Sequence, residues 1–355
     1  MERSCDYPQV NNIGLERMGI EGMSLPVFLC TDNNYAVPAY ITMYSLLMNY
    51  TGTEKLRLYL LTSNDFESRY IRLFKSLKGN YELKIIKIRN SFDEVVINTS
   101  WITTATMYRL LIPKIAGNLG AERCIYLDSD IIVEGDIKEL FEVDLNDFCI
   151  GAVKESIISC DRDPEMRKRL GVPSLKNYIN AGVLLFNLDE IEKLRLSKEL
   201  EQQGYTSDYL HNDQDVINVV FYDRIKILPV RFNAINDSIY NPDSFLQYGI
   251  QNIKEARKNP LIVHYTGKYK PWVCRETILA RKWWKYVRMQ ERKIQKAYIR
   301  PFVKSHKLPW KESMRVTIRS VTMRMGIFTA TRELYHRFKG AADSIRSGRN
   351  EKIYS

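Results

Sequence analysis

The chain has 355 residues and is 45% hydrophobic, enough to bury a sizeable core and too apolar for an intrinsically disordered protein. Its net charge of +11 is uneven: residues 274–355 carry 21 Lys and Arg against 6 Asp and Glu, whereas residues 1–273 carry 32 against 36. None of Cys5, Cys30, Cys124, Cys149, Cys160 and Cys274 forms a CxxC pair, so reduced thiols are expected and not a zinc knuckle or disulfide framework.

The first 22 residues lack an apolar signal core, and no stretch reaches the ~18 apolar residues of a membrane span, so a cytoplasmic protein is expected. An apolar run at 27–31 reads as a strand ending at Asp32-Asn33-Asn34. Helix 37–49 follows, with Pro38 in its first turn, then strand 57–61, helix 65–77 and strand 83–88. Thr103 or Thr104 caps a helix running through Arg109 and stopping before Pro113. Strand 124–127 ends at Asp128-Ser129-Asp130, and 131–133 and 148–153 are expected to continue its sheet. Strand 183–186, helix 189–203, helix 214–221 and strand 261–264 complete the alternation; beyond 274 only basic, helix-like patterns remain. Apolar strands alternating with helices predict a mostly parallel sheet covered on both faces. The division is a polar segment at 1–24, an α/β domain at 25–273 and a basic helical region at 274–355.

Asp128 and Asp130 stand at i and i+2 beyond a strand end, where two carboxylates can hold a divalent cation that keeps open positions for diphosphate oxygens. His264 closes another apolar strand; an imidazole can complete the ligands of a borderline ion such as Mn²⁺. Gly267 permits close backbone approach to a phosphate, and Lys270 supplies positive charge to it. Asp32 can accept from uracil or ribose, and Tyr35 can stack on a base. Arg109 can bond a sugar or diphosphate, and the amides and carboxylates of 180–183 and 212–215 can read sugar hydroxyls. Taken singly, each has a plain alternative: polar turns, a surface salt bridge, or a helix N-cap cluster at 212–215.

The ordered set TDNNY (31–35), TTATMYRL (103–110), YLDSD (126–130), NAGVLLFN (180–187), NDQDVIN (212–218) and HYTGKYKPW (264–272) resembles family 8 of the retaining glycosyltransferases, over residues 27–272. The resemblance implies a GT-A fold: a Rossmann-type α/β domain with a mixed, mainly parallel sheet flanked by helices, here with a basic helical C-terminal extension. It also implies a UDP-glucose or UDP-galactose donor, Mn²⁺ with Mg²⁺ as the alternative, and retained anomeric configuration. By the resemblance, Asp128, Asp130 and His264 are the metal ligands, and Asp32, Asn34 and Tyr35 meet uridine. Arg109, Asn180, Asp213 and Gln214 surround the donor sugar, while Gly267 and Lys270 hold the diphosphate. Lys154-Glu155 departs from the family, where a small residue and Asp are common, so Glu155 is expected on the acceptor side.

A nucleotidyltransferase would usually show an early glycine-rich phosphate loop, and residues 31–35 contain no glycine. A non-catalytic sugar-nucleotide-binding protein would not need a full set of metal ligands. The basic C-terminal region is expected to meet an anionic membrane surface, with Trp283, Trp284, Tyr286, Val287 and Met289, and later residues 314–328, among its contacts, as suits a glycan or lipid-linked glycan acceptor; nucleic acid is not expected.

Overall fold

A computed structural model of the chain describes residues 25–89, 92, 104–205 and 209–325. The first half builds β1 (Leu25–Thr31), α1 (Ala36–Asn49), β2 (Leu56–Ser63), α2 (Ser68–Lys75) and β3 (Tyr81–Ile88). These strands pair in parallel, because each helix crosses back over the sheet before the next strand begins. After α3 (Thr104–Met107), a 3₁₀ turn at Tyr108–Leu111 and α4 (Ile112–Asn118), β4 (Arg123–Leu127) joins β1 on its other side, also in parallel. Strand order therefore reverses between β1 and β4, which opens a crevice beyond their carboxyl ends.

The chain continues through β5 (Ile131–Val133), α5 (Lys138–Phe141), β6 (Ile150–Ala152), α6 (Pro164–Leu170), β7 (Val183–Asn187), α7 (Leu188–Lys193), α8 (Leu196–Tyr205) and α9 (Asn212–Val220). Then come β8 (Ile225–Ile227), β9 (Ala234–Ile235), α10 (Phe245–Tyr248), α11 (Ile250–Lys258) and β10 (Ile262–His264). The last described elements are α12 (Ala280–Arg288), α13 (Arg292–Ile294), a π-helical turn at Gln295–Ile299, α14 (Arg300–His306) and α15 (Trp310–Arg324). The main sheet runs β3-β2-β1-β4-β7-β6-β8, with β7 antiparallel to both neighbours. Its central strands are buried on both faces: Val27, Leu29, Ile125 and Leu127 enter one core, while Phe28, Cys30, Cys124 and Tyr126 enter the other.

Several expectations are corrected. Residues 131–133 do not continue the main sheet; they pair with β10 in a separate sheet ordered β5-β10-β9, because Asp128-Ser129-Asp130 turns the chain away from β4. The helix expected to end before Pro113 restarts there, since the 3₁₀ turn opens a new first turn in which proline needs no N–H. The helix expected at 189–203 is two helices, broken at Arg195 with φ of 56°. In the 212–215 cluster, His211 is the cap residue, and Asp213 and Asp215 lie inside the first turn.

The change of composition at Cys274 is not a break in packing. Trp283, Tyr286, Val287, Ile299 and Phe302 are buried in the main core, and Trp284 is packed against it. Tyr286 Oη accepts from Asn49 Nδ2 at 2.7 Å, tying α12 to α1. These aromatic residues therefore do not face outward, as had been expected from their mixture with basic residues; of that set Met289 is exposed. Cys30, Cys124, Cys149 and Cys274 are buried free thiols. Thr103, Cys5, residues 1–24 and the part of the C-terminal region beyond 325 lie outside the described residues.

Candidate active site

The acidic turn after β4 is clamped from behind. Ser129 Oγ donates to the Cys30 carbonyl at 2.7 Å, and Thr42 Oγ1 reaches the Ser129 and Ile131 carbonyls at 2.9 and 2.7 Å. β5 then pairs antiparallel with β10, His264 opposite Ile131, which carries an imidazole from far along the chain to the acidic turn. His264 Nε2 lies 3.2 Å from Asp130 Oδ1 and 3.6 Å from Asp128 Oδ2.

His264 Nδ1 meets Asn233 Oδ1 at 3.0 Å, and Asn233 Nδ2 donates to Asn180 Oδ1 at 2.9 Å. The amide of Asn233 is thereby oriented with its oxygen toward the ring, so Nδ1 carries the hydrogen and the Nε2 lone pair points at the two carboxylates. Ligand atoms of all three residues fall within 4.8 Å of one another, and Asp130 Oδ1 is buried without a hydrogen bond. A convergence of acceptors with an orphaned carboxylate oxygen fits a divalent cation held by Asp128, Asp130 and His264. Gly182, next to β7, makes room for the cluster: a Cβ there would stand 2.2 Å from His264 Cε1 and 2.7 Å from Asp128 Oδ2.

Arg109, on the 3₁₀ turn, spans the site. Its Nη2 lies 2.8 Å from Asp128 Oδ1, its Nε 2.9 Å from Asp213 Oδ2, and its Nη1 donates to the Ala181 carbonyl at 2.7 Å. Burial acts to lower the guanidinium's pKa, but the two carboxylates outweigh it and hold Arg109 charged. One guanidinium divided between two carboxylates does not fully compensate the deeper one. Burial pushes the Asp213 carboxyl up to about 7, with Arg109 opposing.

Lys270 is buried and pairs with Asp130 Oδ2, and it also donates to the Tyr265 carbonyl at 2.5 Å. Burial would raise the Asp130 carboxyl, yet the Lys270 ammonium holds it well below the usual range. Gly267 has φ of 67° with open space around its Cα, which leaves the loop backbone accessible. Gln214 Oε1 accepts from the Ala181 N–H at 3.1 Å, and its Nε2 donates to Tyr178 Oη at 3.3 Å. Asp32 Oδ1 accepts from the N–H groups of Asn34 and Tyr35, each at 2.9 Å, and Tyr35 meets Trp272 edge-on at 6.0 Å.

One cleft of about 900 Å³, counting its open mouth, is lined by every residue that the resemblance assigns to the metal, uridine, donor sugar or diphosphate except Asn34, which is exposed; of the 212–215 cluster, Asp213 and Gln214 line it, and Asn212 and Asp215 do not. Glu155 does not line it; its half-buried carboxyl is raised by desolvation and accepts from Asn180 Nδ2 at 3.2 Å. Sequence reasoning missed Asn233, Tyr126 and the steric need for Gly182. Tyr126 Oη donates to Asp128 Oδ1 at 2.5 Å from within an apolar strand where it reads as core. Asn233 lies 31 positions from His264 with no local pattern to link them.

A mainly parallel sheet with an acidic turn at its switch point, faced by a histidine from a second small sheet, is the GT-A class of glycosyltransferase. The chain belongs to glycosyl transferase family 8, whose model matches residues 26–275. It is 28% identical over 251 residues to general stress protein A of Bacillus subtilis, covering 68% of this chain and 85% of that one. It is 27% identical over 253 residues to lipopolysaccharide 1,2-glucosyltransferase of Escherichia coli K12, covering 68% and 70%. Lipopolysaccharide 1,3-galactosyltransferase of Salmonella typhimurium is 25% identical over 257 residues, covering 68% and 71%. Among solved structures, the galactosyltransferase LgtC with donor and acceptor sugar analogues shares the fold at a TM-score of 0.61 and 22% identity, covering 77% of this chain and 99% of LgtC. The bifunctional glycosyltransferase WbbM matches at 0.65 and 21% identity; 82% of this chain spans 54% of that one. Glycosyl transfer is thus the class of reaction this chain performs.

Proposed function

We propose that the chain is a metal-dependent, retaining hexosyltransferase. It moves glucose or galactose from the UDP-sugar to a glycan or lipid-linked glycan destined for the cell surface, working on the cytoplasmic side where such donors are made. The observation that carries this reading is the convergence of Asp128, Asp130 and the His264 Nε2 lone pair at the carboxyl ends of the parallel strands. The lipopolysaccharide glucosyl- and galactosyltransferases among its relatives support the choice of hexose and acceptor.

Mn²⁺, or Mg²⁺ in its place, held by those three residues would supply Lewis-acid neutralisation of the diphosphate; the nitrogen ligand favours Mn²⁺. Lys270, fixed by Asp130 and the Tyr265 carbonyl, holds a positive charge where the leaving diphosphate gains negative charge. Asp32 and Tyr35 flank the uridine end, and the Gly267 backbone lies against the phosphates. Arg109, Asn180 and Asp213 read the hexose hydroxyls. Asp213 is engaged by Arg109, and Gln214 is an amide bonded at both ends, so neither offers a free nucleophile. This favours attack by the acceptor hydroxyl on the face that UDP leaves, its proton passing to the departing phosphate oxygen.

The test is UDP release from UDP-glucose and UDP-galactose with Mn²⁺, with Mg²⁺ and with chelator. Release from at least one donor that chelator stops is expected. No release from either donor with either metal would overturn the reading.

A further inference from the structure

β3 ends the main sheet, and among the described residues nothing pairs with its outer edge. The Leu56 N–H donates to the Asn80 carbonyl at 3.1 Å, which fixes the alternation of the β2–β3 ladder. Residues 80, 82, 84 and 86 turn their backbone groups toward β2, and Tyr81, Leu83 and Ile85 turn theirs outward. Edge strands are commonly blunted by shortness, by proline or by an outward lysine. β3 has eight residues and no proline. Of its lysines, Lys87 is folded back, its Nζ donating to the Asn64 and Phe66 carbonyls at 3.0 and 3.3 Å. Lys84 and the exposed Glu82 share one face of the strand, and neither has an ion-pair partner among the described residues; Arg57 stands opposite Glu82 in the ladder without pairing with it. On the other face Tyr81, Leu83 and Ile85 are half-buried at the margin of the core and line a groove with Ile71 and Lys75 of α2.

We propose that β3 pairs antiparallel with β3 of a second copy, about a two-fold axis at Leu83, and joins the two main sheets into one. Outward-facing backbone must meet outward-facing backbone, so Tyr81, Leu83 and Ile85 can pair only among themselves and their counterparts. Charge chooses among the registers that remain. An axis at Glu82 sets two carboxylates face to face, and an axis at Lys84 sets two ammonium groups face to face. Axes nearer either end shorten the ladder and separate Glu82 from Lys84. An axis at Leu83 sets Glu82 opposite Lys84 twice, at the closely spaced non-hydrogen-bonded positions where cross-strand side chains interact most strongly. It also sets Tyr81 against Ile85 and Leu83 against its own copy, each pair exchanging backbone hydrogen bonds and covering the groove beside α2. An edge whose charges complement themselves under a two-fold operation fits a second copy of this chain, because in such a contact one patch serves both sides. Antiparallel pairing also turns the partner's cleft toward the opposite end of the shared sheet, so neither cleft borrows residues from the other copy.

The experiment is sedimentation velocity of the full chain over a range of concentrations. The parent is compared with Glu82→Lys, with Lys84→Glu and with the double reversal Glu82→Lys/Lys84→Glu, and far-ultraviolet circular dichroism checks that each variant is folded. The parent is expected to sediment as a dimer. Each single reversal places like charges opposite one another at both positions and is expected to weaken the dimer roughly tenfold or more. The double reversal restores opposite charges in the same register and is expected to recover the parent's association. Three outcomes overturn the proposal. One is a parent that stays monomeric at every concentration. Another is a dimer indifferent to the single reversals, which places the contact elsewhere on the surface. The third is a folded double variant that associates no better than the single ones, which denies that Glu82 and Lys84 face each other across the axis.

Discussion

His264 and Asn233 meet Nδ1 to Oδ1 at 3.0 Å, and this contact decides which imidazole nitrogen faces the acidic turn. Asn233 is held in turn by Asn180, and Asn180 by the half-buried Glu155, so a chain of side chains runs from a carboxylate to the ring. Outer partners of this kind orient a metal-ligating histidine and set its tautomer. Asn233→Ala should weaken Mn²⁺ binding by about 10- to 100-fold. Asn233→Asp, which keeps the acceptor, should lose less. Titration of free Mn²⁺ by electron paramagnetic resonance measures both; equal affinity in parent and Ala variant would remove Asn233 from this role.

Asp128 and Asp130 should differ when neutralised. Either Asp→Asn change should nearly abolish transfer. Asp130→Asn also strips the buried Lys270 of its carboxylate, and breaking such a pair typically costs about 3–5 kcal/mol. After Asp128→Asn, Arg109 still has Asp213 and the Ala181 carbonyl. Thermal melts without metal should therefore show the larger drop for Asp130→Asn, and the reverse order would contradict the Lys270 pairing.

Gly182→Ala should impair the metal cluster before it impairs the fold. The added Cβ overlaps His264 Cε1 at 2.2 Å, and the Gly182 backbone cannot retreat freely because its carbonyl accepts from Asp128 N at 2.8 Å. Mn²⁺ affinity and transfer should collapse while far-ultraviolet circular dichroism stays near that of the parent.

Asp213 makes stability depend on pH in a defined direction. Its folded-state carboxyl is raised from 3.8 to about 7, so the unfolded chain ionises it more readily. The group therefore destabilises the fold increasingly as pH rises from about 4 to about 7, and by a constant amount above that. Asp213→Asn removes this penalty. Without metal, the variant should melt higher than the parent at pH 8, by an amount on the order of a few kcal/mol, and by little at pH 4. A gap that is larger at pH 4 would refute the assignment. Transfer should be lost at both values.

The order of motifs along the chain was enough to read the α/β class, the family and nearly all the residues of the cleft. Strand periodicity and an acidic pair at a strand end are local signals, and β4 ending at Asp128 needs only its own neighbours to be recognised. The charge imbalance was equally visible, but only part of the surface expected from it faces outward. Trp283, Tyr286 and Val287 of α12 are core residues, whereas Met314, Ile318, Val321 and Met325, within the expected 314–328, are exposed; composition cannot tell a buried helix face from an exposed one, because that depends on what packs against it. Tertiary structure alone decided that residues 131–133 leave the main sheet to pair with β10, which is how His264 reaches the acidic turn across more than a hundred positions. It alone decided that Arg109 is divided between Asp128 and Asp213, and that Asn233 sets the His264 tautomer. These are contacts between segments distant in sequence, made by strand pairing and by burial of polar groups that must each find a partner, and no local pattern encodes which partner that is.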